Sequence, residues 1–264
     1  MATEGTGRMA HNSLLQAPED AAPVMVLRPE AKTDILLVVD HAGRAIPRQL
    51  GLLGLAPAEL DRHIAWDIGI AGVSEALSQH LDATCIMQRY SRLVIDCNRP
   101  LHVPSAIPEI SEDTWIVGNA GLDEAQREAR RAEIYAPYHA RIAAELDRRA
   151  GRPTILVAMH SFTPVYKGEV REMQAGVLYN RHTALPHIML DLLRAENGLV
   201  VGDNAPYSVS DETDYTVPFH AERRGLAYLE MEIRQDLIAD AAGQAEWAER
   251  MARLLRIGIS RLTG

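Results

Sequence analysis

The feature that most constrains the fold is a continuous apolar run, Ile35–Val39, that ends abruptly in ionisable residues. An apolar run of this length, rich in β-branched residues, is typical of a strand buried on both faces of a parallel sheet. Asp40, His41 and Arg44 follow it directly, and ligands bind at this end of the strands in open α/β sheets. The stretch therefore predicts a buried strand that delivers polar side chains to a site. An ordinary polar loop is the alternative.

Strands and helices are predicted to alternate along the rest of the chain. Further strands are expected at 84–88, 92–96, 154–159, 176–179, 199–201 and 227–233, and the main helices at 67–81, 122–150, 184–196 and 243–262. This order predicts an α/β fold with a mainly parallel, mixed and twisted sheet that carries helices on both faces. Residues 1–22 lack hydrophobic periodicity, so we expect a mobile tail followed by a single domain over residues 23–264.

Composition excludes several classes of function. The formal net charge of −9 over 264 residues argues against nucleic-acid binding, which needs a basic surface. No apolar run reaches membrane-spanning length, and the N-terminus lacks the apolar region of a secretory signal. The two cysteines, Cys85 and Cys97, are too few for a disulfide framework or a thiolate zinc site. We therefore expect a soluble cytoplasmic protein.

Histidines at the ends of two apolar runs indicate a metal site. His41 and His160 occupy these positions, and imidazoles with a carboxylate are a common ligand set for catalytic zinc. His63 and Asp67 are spaced i, i+4, so a helix through this segment would place both on one face. Asp67 is the preferred third ligand and His63 the alternative. Spacing alone has low specificity here, because the chain contains no HExxH, HxxE or CxxC motif.

The segment 91–100, SRLVIDCNRP, combines two arginines, an aspartate and an asparagine. The planar fork of an arginine fits a carboxylate with two hydrogen bonds, and Asn98 could bind the same anion as Arg99. Asp96 could orient Arg92, since a buried arginine needs a partner. An internal Arg92–Asp96 ion pair is the alternative interpretation.

Glu230 and Glu232 lie two residues apart in a predicted strand, and therefore on the same face. Two carboxylates on one face rarely both serve a core. One of them could be the general base that deprotonates a metal-bound water. The alternative is a solvated edge strand in which Arg234 pairs with a glutamate.

With these residues identified, the chain resembles the N-formylglutamate amidohydrolase family over about residues 35 to 235. The most specific part of the resemblance is the SRLVIDCNRP block. The other matching motifs are Asp40-His41-Ala42-Gly43-Arg44 with Ile46-Pro47, Trp66-Asp67, His160-Ser161-Phe162-Thr163-Pro164 and Glu230-Met231-Glu232-Ile233-Arg234.

The resemblance implies a phosphorylase/hydrolase-like sheet, similar to those of the zinc carboxypeptidases and aspartoacylase, with one catalytic zinc ion. It implies hydrolysis of N-formyl-L-glutamate to formate and L-glutamate, a late step of histidine degradation. By position, His41 and His160 would hold zinc, Glu232 would be the base, and Asn98 with Arg99 would hold a substrate carboxylate. The zinc carboxypeptidases carry HxxE at the first ligand, whereas Arg44 stands at that spacing here.

In the mechanism expected from this resemblance, Arg44 or Arg92 stabilises the oxyanion together with zinc. Arg181 joins Asn98 and Arg99 in binding the substrate carboxylates, because a dicarboxylate needs local positive charge. The alternatives are a zinc hydrolase of another N-acyl amino acid or small peptide, and a non-catalytic protein that binds an acidic metabolite. The second of these would need no tightly held zinc.

Overall fold

The structure, a computed structural model, describes residues 13–264. In chain order, the strands and α-helices are β1 (Val24–Leu27), β2 (Ile35–Val39), α1 (Ile70–Leu81), β3 (Thr84–Gln88), β4 (Ile110–Ser111), β5 (Thr114–Trp115), α2 (Glu124–Arg130), α3 (Ala136–Arg148), β6 (Ile155–Phe162), β7 (Val165–Tyr166), β8 (Glu169–Val170), β9 (Ala175–Leu178), α4 (Ala184–Arg194), β10 (Val201–Asp203), β11 (Ala227–Arg234) and α5 (Ala241–Thr263). None of the helices in residues 13–264 combines the length and the apolar character needed to span a bilayer.

One sheet organises the domain. Within residues 13–264 it contains seven strands in the order β1-β3-β2-β6-β11-β9-β10. The four central strands, β3, β2, β6 and β11, run parallel to one another. β1 pairs antiparallel with β3, and β9 pairs antiparallel with β11, so the sheet is mixed. This confirms the predicted α/β class with a mainly parallel sheet.

Both faces of the sheet are buried, which explains why the central strands lack polar alternation. Leu37 and Val39 of β2 point into a core formed with α1, α4 and α5. Leu36 and Val38 point into a second core on the opposite face, formed with α3 and the long loops. Helices therefore cover both faces, as the sequence predicts.

Several predicted elements differ in the structure. Residues 92–96, predicted as a strand, form turns: the Ser91 hydroxyl accepts a hydrogen bond from the Leu93 amide, and the Ser91 carbonyl accepts one from Val94. The predicted helix at 122–150 is α2 and α3 joined through a π-helical turn, Arg131–Tyr135. Strand β1 was not predicted, because its four residues directly follow an N-terminal region without hydrophobic periodicity.

The expected tail, residues 1–22, lies partly outside the described residues. Its described part, 13–22, contacts the domain. The side chain of Leu14 is buried, and the amides of Leu14 and Leu15 each donate a hydrogen bond of 2.8 Å to the carboxylate of Glu133.

Two histidines pack against each other in the core beside α3. His139 Nε2 donates to the Cys97 carbonyl at 2.9 Å, so His139 Nδ1 accepts from His220 Nε2, also at 2.9 Å. Burial lowers the pKa of His139 to about 4 and that of His220 to about 3. Both imidazoles are therefore neutral at physiological pH, and each hydrogen bond has one allowed direction.

We expect this pair to make the protein less stable in mild acid. An unfolded histidine binds a proton near pH 6.5, whereas the folded His139 and His220 do not until about pH 4 and 3. The unfolded state therefore binds more protons below pH 6.5, and the free energy of unfolding falls as the pH falls. From pH 7 to pH 5, each histidine should contribute roughly 2 kcal/mol to that loss.

Urea unfolding at several pH values measures this effect. In His220→Gln, a side-chain N–H remains available to His139 but cannot titrate, so its unfolding free energy should fall less steeply than that of the native chain. Identical pH slopes for the two proteins would show that His220 has no part in the acid sensitivity.

Candidate active site

The predicted site residues converge where four parallel strands end. In the sheet, β2 has β3 as its neighbour on one side and β6 as its neighbour on the other. The strand order therefore reverses between β2 and β6. Ligand clefts in open α/β sheets lie at such a switch point. A cavity of about 590 Å³ opens there. Of the predicted residues, those that line it are His41, His63, Asp67, Arg92, Asp96, Asn98, Arg99, His160, Glu230 and Glu232.

Strand register accounts for the position of Glu232. In the parallel pairing of β6 and β11, Glu232 lies opposite His160, so both side chains emerge on the same face. Leu229 and Met231 alternate with the glutamates and enter the opposite core. Glu230 and Glu232 therefore face the cavity together, as predicted, and both are buried.

His41, Asp67 and His160 form a compact cluster. One ligand atom from each lies within 4.8 Å of those of the other two, and all three residues are buried. His160 Nδ1 lies 3.1 Å from Asp67 Oδ2, and His41 Nδ1 lies 3.5 Å from the same oxygen. The two rings meet edge to face with their centroids 5.1 Å apart. The Nδ1 atoms of both histidines thus point to one place.

Asp67 lies in a loop, and hydrogen bonds to the chain next to both histidines fix its position. Its amide donates to the His41 carbonyl at 3.0 Å, and its Oδ2 accepts from the Ser161 amide at 3.1 Å. Gly69 ends this loop at the start of α1 with a φ of +82°, and a Cβ there would meet the Ile238 carbonyl oxygen at 2.1 Å. The helix expected to place His63 and Asp67 on one face is absent from the described residues, where 62–69 form turns.

Each histidine has a second carboxylate beside its other ring nitrogen. His41 Nε2 lies 2.7 Å from Asp96 Oδ1, and His160 Nε2 lies 3.3 Å from Asp40 Oδ2. Metal-bound histidines commonly present this arrangement, in which the outer carboxylate fixes the ring and its tautomer. Here it leaves Nδ1 of both rings to face Asp67.

Asp96 is held as an anion. Burial would raise the pKa of this carboxyl, but Arg92 and His41 hold it well below its usual range. Arg92 donates to Asp96 Oδ2 from Nε and Nη2, at 3.0 and 2.7 Å, and the Asn98 amide donates to Oδ1 at 2.9 Å. The predicted Arg92–Asp96 pair is therefore present, and it supports His41.

The cluster suits a divalent cation. His41 Nδ1 is buried and has no hydrogen-bond partner among residues 13–264, which is costly unless another ligand binds it. Two imidazoles and a carboxylate are a known catalytic zinc set that leaves a position for water. The cavity also carries an excess of acidic groups that a cation would offset. Among its described lining residues, the carboxylates are Asp67, Asp96, Glu112, Asp214, Glu230 and Glu232, and the arginines are Arg92 and Arg99.

His63, the alternative third ligand, lines the cavity but lies outside this cluster. Its Nε2 lies 3.5 Å from Glu112 Oε2, on the hairpin region formed by β4 and β5. The structure thus brings Asp67, rather than His63, together with the two histidines.

Asn98 and Arg99 differ in what remains available for a ligand. Asn98 Oδ1 accepts from the amides of Tyr215 and Thr216, and its Nδ2 donates to Asp214 at 3.2 Å. Its side chain thus joins two loops. Arg99 bonds to its neighbours through Nη1 alone, and its Nε and Nη2 donate to no other residue in 13–264. Arg99 is therefore the better-placed anion ligand of the two.

Two predicted arginines lie outside the cavity. Arg44 pairs with Asp61 at the surface, and its guanidinium stacks over the ring of Trp66. Arg181 pairs with Asp211 and Glu222. Neither side chain is among the described residues that line the cavity, because the carboxylates next to each one hold it elsewhere.

Burial raises the pKa of both glutamates in the cavity. For Glu232, burial and Asp67 outweigh His160, His41 and Arg92, and raise the pKa to about 8. Burial and Asp214 raise the pKa of Glu230 well above its usual range. Glu232 Oε2 is buried and has no hydrogen-bond partner in residues 13–264. His160 opposes the rise in the pKa of both glutamates, and His41 also opposes it at Glu232.

Sequence reasoning assigned no role to Asp40 or Thr216. Asp40 had a sequence signal, since a carboxylate that ends a buried apolar strand needs a partner. Thr216 had none, because its contact with Asp40 joins residues 176 positions apart.

Comparisons with known proteins identify a family and similar structures. A family model described as N-formylglutamate amidohydrolase matches residues 33–239. Among solved structures, gene product Atu2144 from Agrobacterium tumefaciens is 41% identical, with a TM-score of 0.90, over 92% of this chain and 97% of that one. The N-formylglutamate amidohydrolase from Ralstonia eutropha JMP134 has the same fold at 19% identity, with a TM-score of 0.63, over 91% of this chain and 98% of that one. Comparison with curated proteins gives no significant match.

We expect the cluster to bind one zinc ion per chain, with Asp67 and not His63 as a ligand. Asp67→Asn should weaken zinc binding strongly, because it removes the anionic ligand that both Nδ1 atoms face. His63→Asn should bind zinc as the native chain does. Metal analysis after dialysis and competition with a chromogenic chelator measure both, with circular dichroism to verify folding. The reverse pattern would make His63 the third ligand.

Proposed function

This chain belongs to the N-formylglutamate amidohydrolase family and is therefore an amidohydrolase, and we propose that it is a zinc enzyme that hydrolyses N-formyl-L-glutamate to formate and L-glutamate. The observation that carries the proposal is the buried His41–Asp67–His160 cluster, which shares one cavity with Glu232. Family membership favours an enzyme over a protein that only binds an acidic metabolite. The proposed role is a late step of histidine degradation in the cytoplasm. Two buried free thiols, Cys85 and Cys97, are compatible with a reducing compartment.

The proposed ligands are His41, Asp67 and His160. A zinc ion bound there would supply Lewis-acid polarisation of the amide carbonyl and a water of lowered pKa. Asp96 and Asp40 hold the two imidazoles with Nδ1 turned inward. These contacts orient the ligands before substrate arrives.

Glu232 is the proposed general base. Its buried Oε2, which has no partner in residues 13–264, accepts a proton as water attacks the formyl carbon. The same carboxyl then delivers the proton to the amine nitrogen as the carbon–nitrogen bond breaks, so the products are formate and the free amino acid. A carboxyl with a raised pKa suits both steps, because it holds the proton between them.

Two arginines have proposed roles with the substrate. Arg99 would bind a glutamate carboxylate through Nε and Nη2, and this charge-assisted contact favours an acidic substrate. The side chain of Asn98, which was expected to share this role, lines the cavity, and its Oδ1 accepts hydrogen bonds from the amides of Tyr215 and Thr216. Of the arginines expected at the oxyanion, Arg92 is the one that lines the cavity. Its Nη1 lies 3.6 Å from Asp67 Oδ1 and so faces the ligand cluster.

The size of the cavity favours a second candidate substrate class. Its volume of about 590 Å³ lies within the roughly 300–1,000 Å³ that holds drug-sized ligands, and N-formyl-L-glutamate is smaller than these. Phe162, Tyr166 and Ile110 add apolar surface. A larger N-acyl amino acid or a small peptide would use this space through the same chemistry.

Formate release from N-formyl-L-glutamate tests the proposal. The purified chain should release formate with zinc present, lose this activity when a chelator removes the metal, and regain it when zinc is restored. A protein that holds zinc but releases no formate would exclude this substrate and leave larger N-acyl amino acids, which the same assay tests by amine release.

The pair of glutamates on β11 provides a matched test of the base. Glu232→Gln should keep zinc and lower kcat by roughly 10²–10⁴, because the amide cannot accept the proton. Glu230→Gln removes a carboxyl from the same strand and face, and should lower kcat much less. Zinc content measured on both variants separates loss of the base from loss of the metal. A normal kcat in Glu232→Gln would remove this residue from the mechanism.

A further inference from the structure

We infer that Thr216 is a positioning residue of the metal site, whose hydroxyl orients His160 through Asp40. The inference rests on the proposed function, since it takes the His41–Asp67–His160 cluster to be the zinc site. Thr216 precedes the π-helical turn Val217–Ala221. It is not among the described residues that line the cavity. Its action on the site is therefore indirect.

The contact between Thr216 and Asp40 is short and fully enclosed. The Thr216 hydroxyl donates to Asp40 Oδ1 at 2.6 Å, and the exposed fractions of the two residues are 0% and 1%. It is the one side-chain hydrogen bond that Asp40 accepts from residues 13–264. Without the hydroxyl, Oδ1 would lose this donor in a buried setting, which leaves the carboxylate free to turn and costs stability.

Asp40 in turn faces the ring of His160. Its Oδ2 lies 3.3 Å from His160 Nε2, while His160 Nδ1 faces Asp67 Oδ2 at 3.1 Å. The ring angle that turns Nδ1 towards Asp67 therefore depends on where the Asp40 carboxylate lies. Loss of such an outer contact typically weakens metal affinity 10- to 100-fold.

The backbone of Thr216 is fixed independently of its side chain. Its amide donates to Asn98 Oδ1 at 3.0 Å, and the Tyr215 amide donates to the same oxygen at 3.1 Å. The Asn98 amide reaches Asp96, which holds His41. Asn98 thus keeps residue 216 in place when its hydroxyl is removed, so a substitution there tests the hydroxyl alone.

Three threonine variants of the full chain distinguish the effect of the Thr216 hydroxyl from that of a general change in packing. Thr216→Val keeps the shape and removes the donor, and Thr216→Ser keeps the donor. Thr154→Val is the matched control, since Thr154 immediately precedes β6 at the end away from His160, and its buried hydroxyl has no partner in residues 13–264. The zinc dissociation constant, from chelator competition on the metal-free proteins, is the primary measurement.

We expect the zinc dissociation constant to rise roughly 10- to 100-fold in Thr216→Val and to stay near the native value in Thr216→Ser and Thr154→Val. Activity of Thr216→Val should return at higher zinc concentration with an unchanged KM, which a damaged fold would not show. If Thr216→Val does not fold, Asp40→Asn tests the same link and should weaken zinc to a similar extent.

Native zinc affinity in Thr216→Val, or equal losses in the valine and serine variants, would overturn the inference while the proposed function stands. A native chain that binds no zinc would overturn both. Weak zinc binding in Thr216→Val alone, with no release of formate or amine by any of the proteins, would support the role of Thr216 and remove the proposed activity.

Discussion

The structure depends on a buried group of charges around Asp67. Asp40, Asp67 and Asp96 are almost inaccessible to solvent, and two imidazoles lie between them. Buried carboxylates are costly unless each has partners. Arg92 satisfies Asp96, and Thr216 satisfies one oxygen of Asp40. The Nδ1 atoms of both histidines approach one oxygen of Asp67, and this arrangement suits a metal ion.

The sheet makes this group of charges possible. Parallel strands bring their carboxyl ends to one edge, and β2 and β6 lie side by side at the point where the strand order reverses. β2 and β6 bring His41 and His160, and the register of β11 sets Glu232 beside His160. Below this edge the same strands are apolar on both faces, so the charged residues rest on a rigid core.

Local pattern was sufficient for the residues carried by strands. The apolar run of β2 predicts His41 at its end, and the two-residue period of β11 predicts that Glu230 and Glu232 share a face. Pattern failed at 92–96, where an apolar run typical of a strand forms turns because Ser91 accepts hydrogen bonds from the amides of Leu93 and Val94. The sequence argument for Asp67 assumed a helix that the described residues do not form. Hydrogen bonds with the backbone of His41 and Ser161 fix this residue instead.

The arginines show most clearly what local pattern cannot predict, because the partners of a long side chain depend on which groups the folded chain brings near it. Arg44 and Arg181 resemble Arg99 in sequence context, yet each is held by carboxylates outside the cavity. The sequence by itself determined the α/β class, the strand that ends in His41 and the face shared by the glutamates, because periodicity and burial are local properties. Tertiary structure alone decided that Asp67 completes the cluster, that Arg99 faces the cavity, and that Thr216 meets Asp40 across 176 positions of chain. These contacts join segments that are distant in sequence, so they form only after the sheet has brought those segments together.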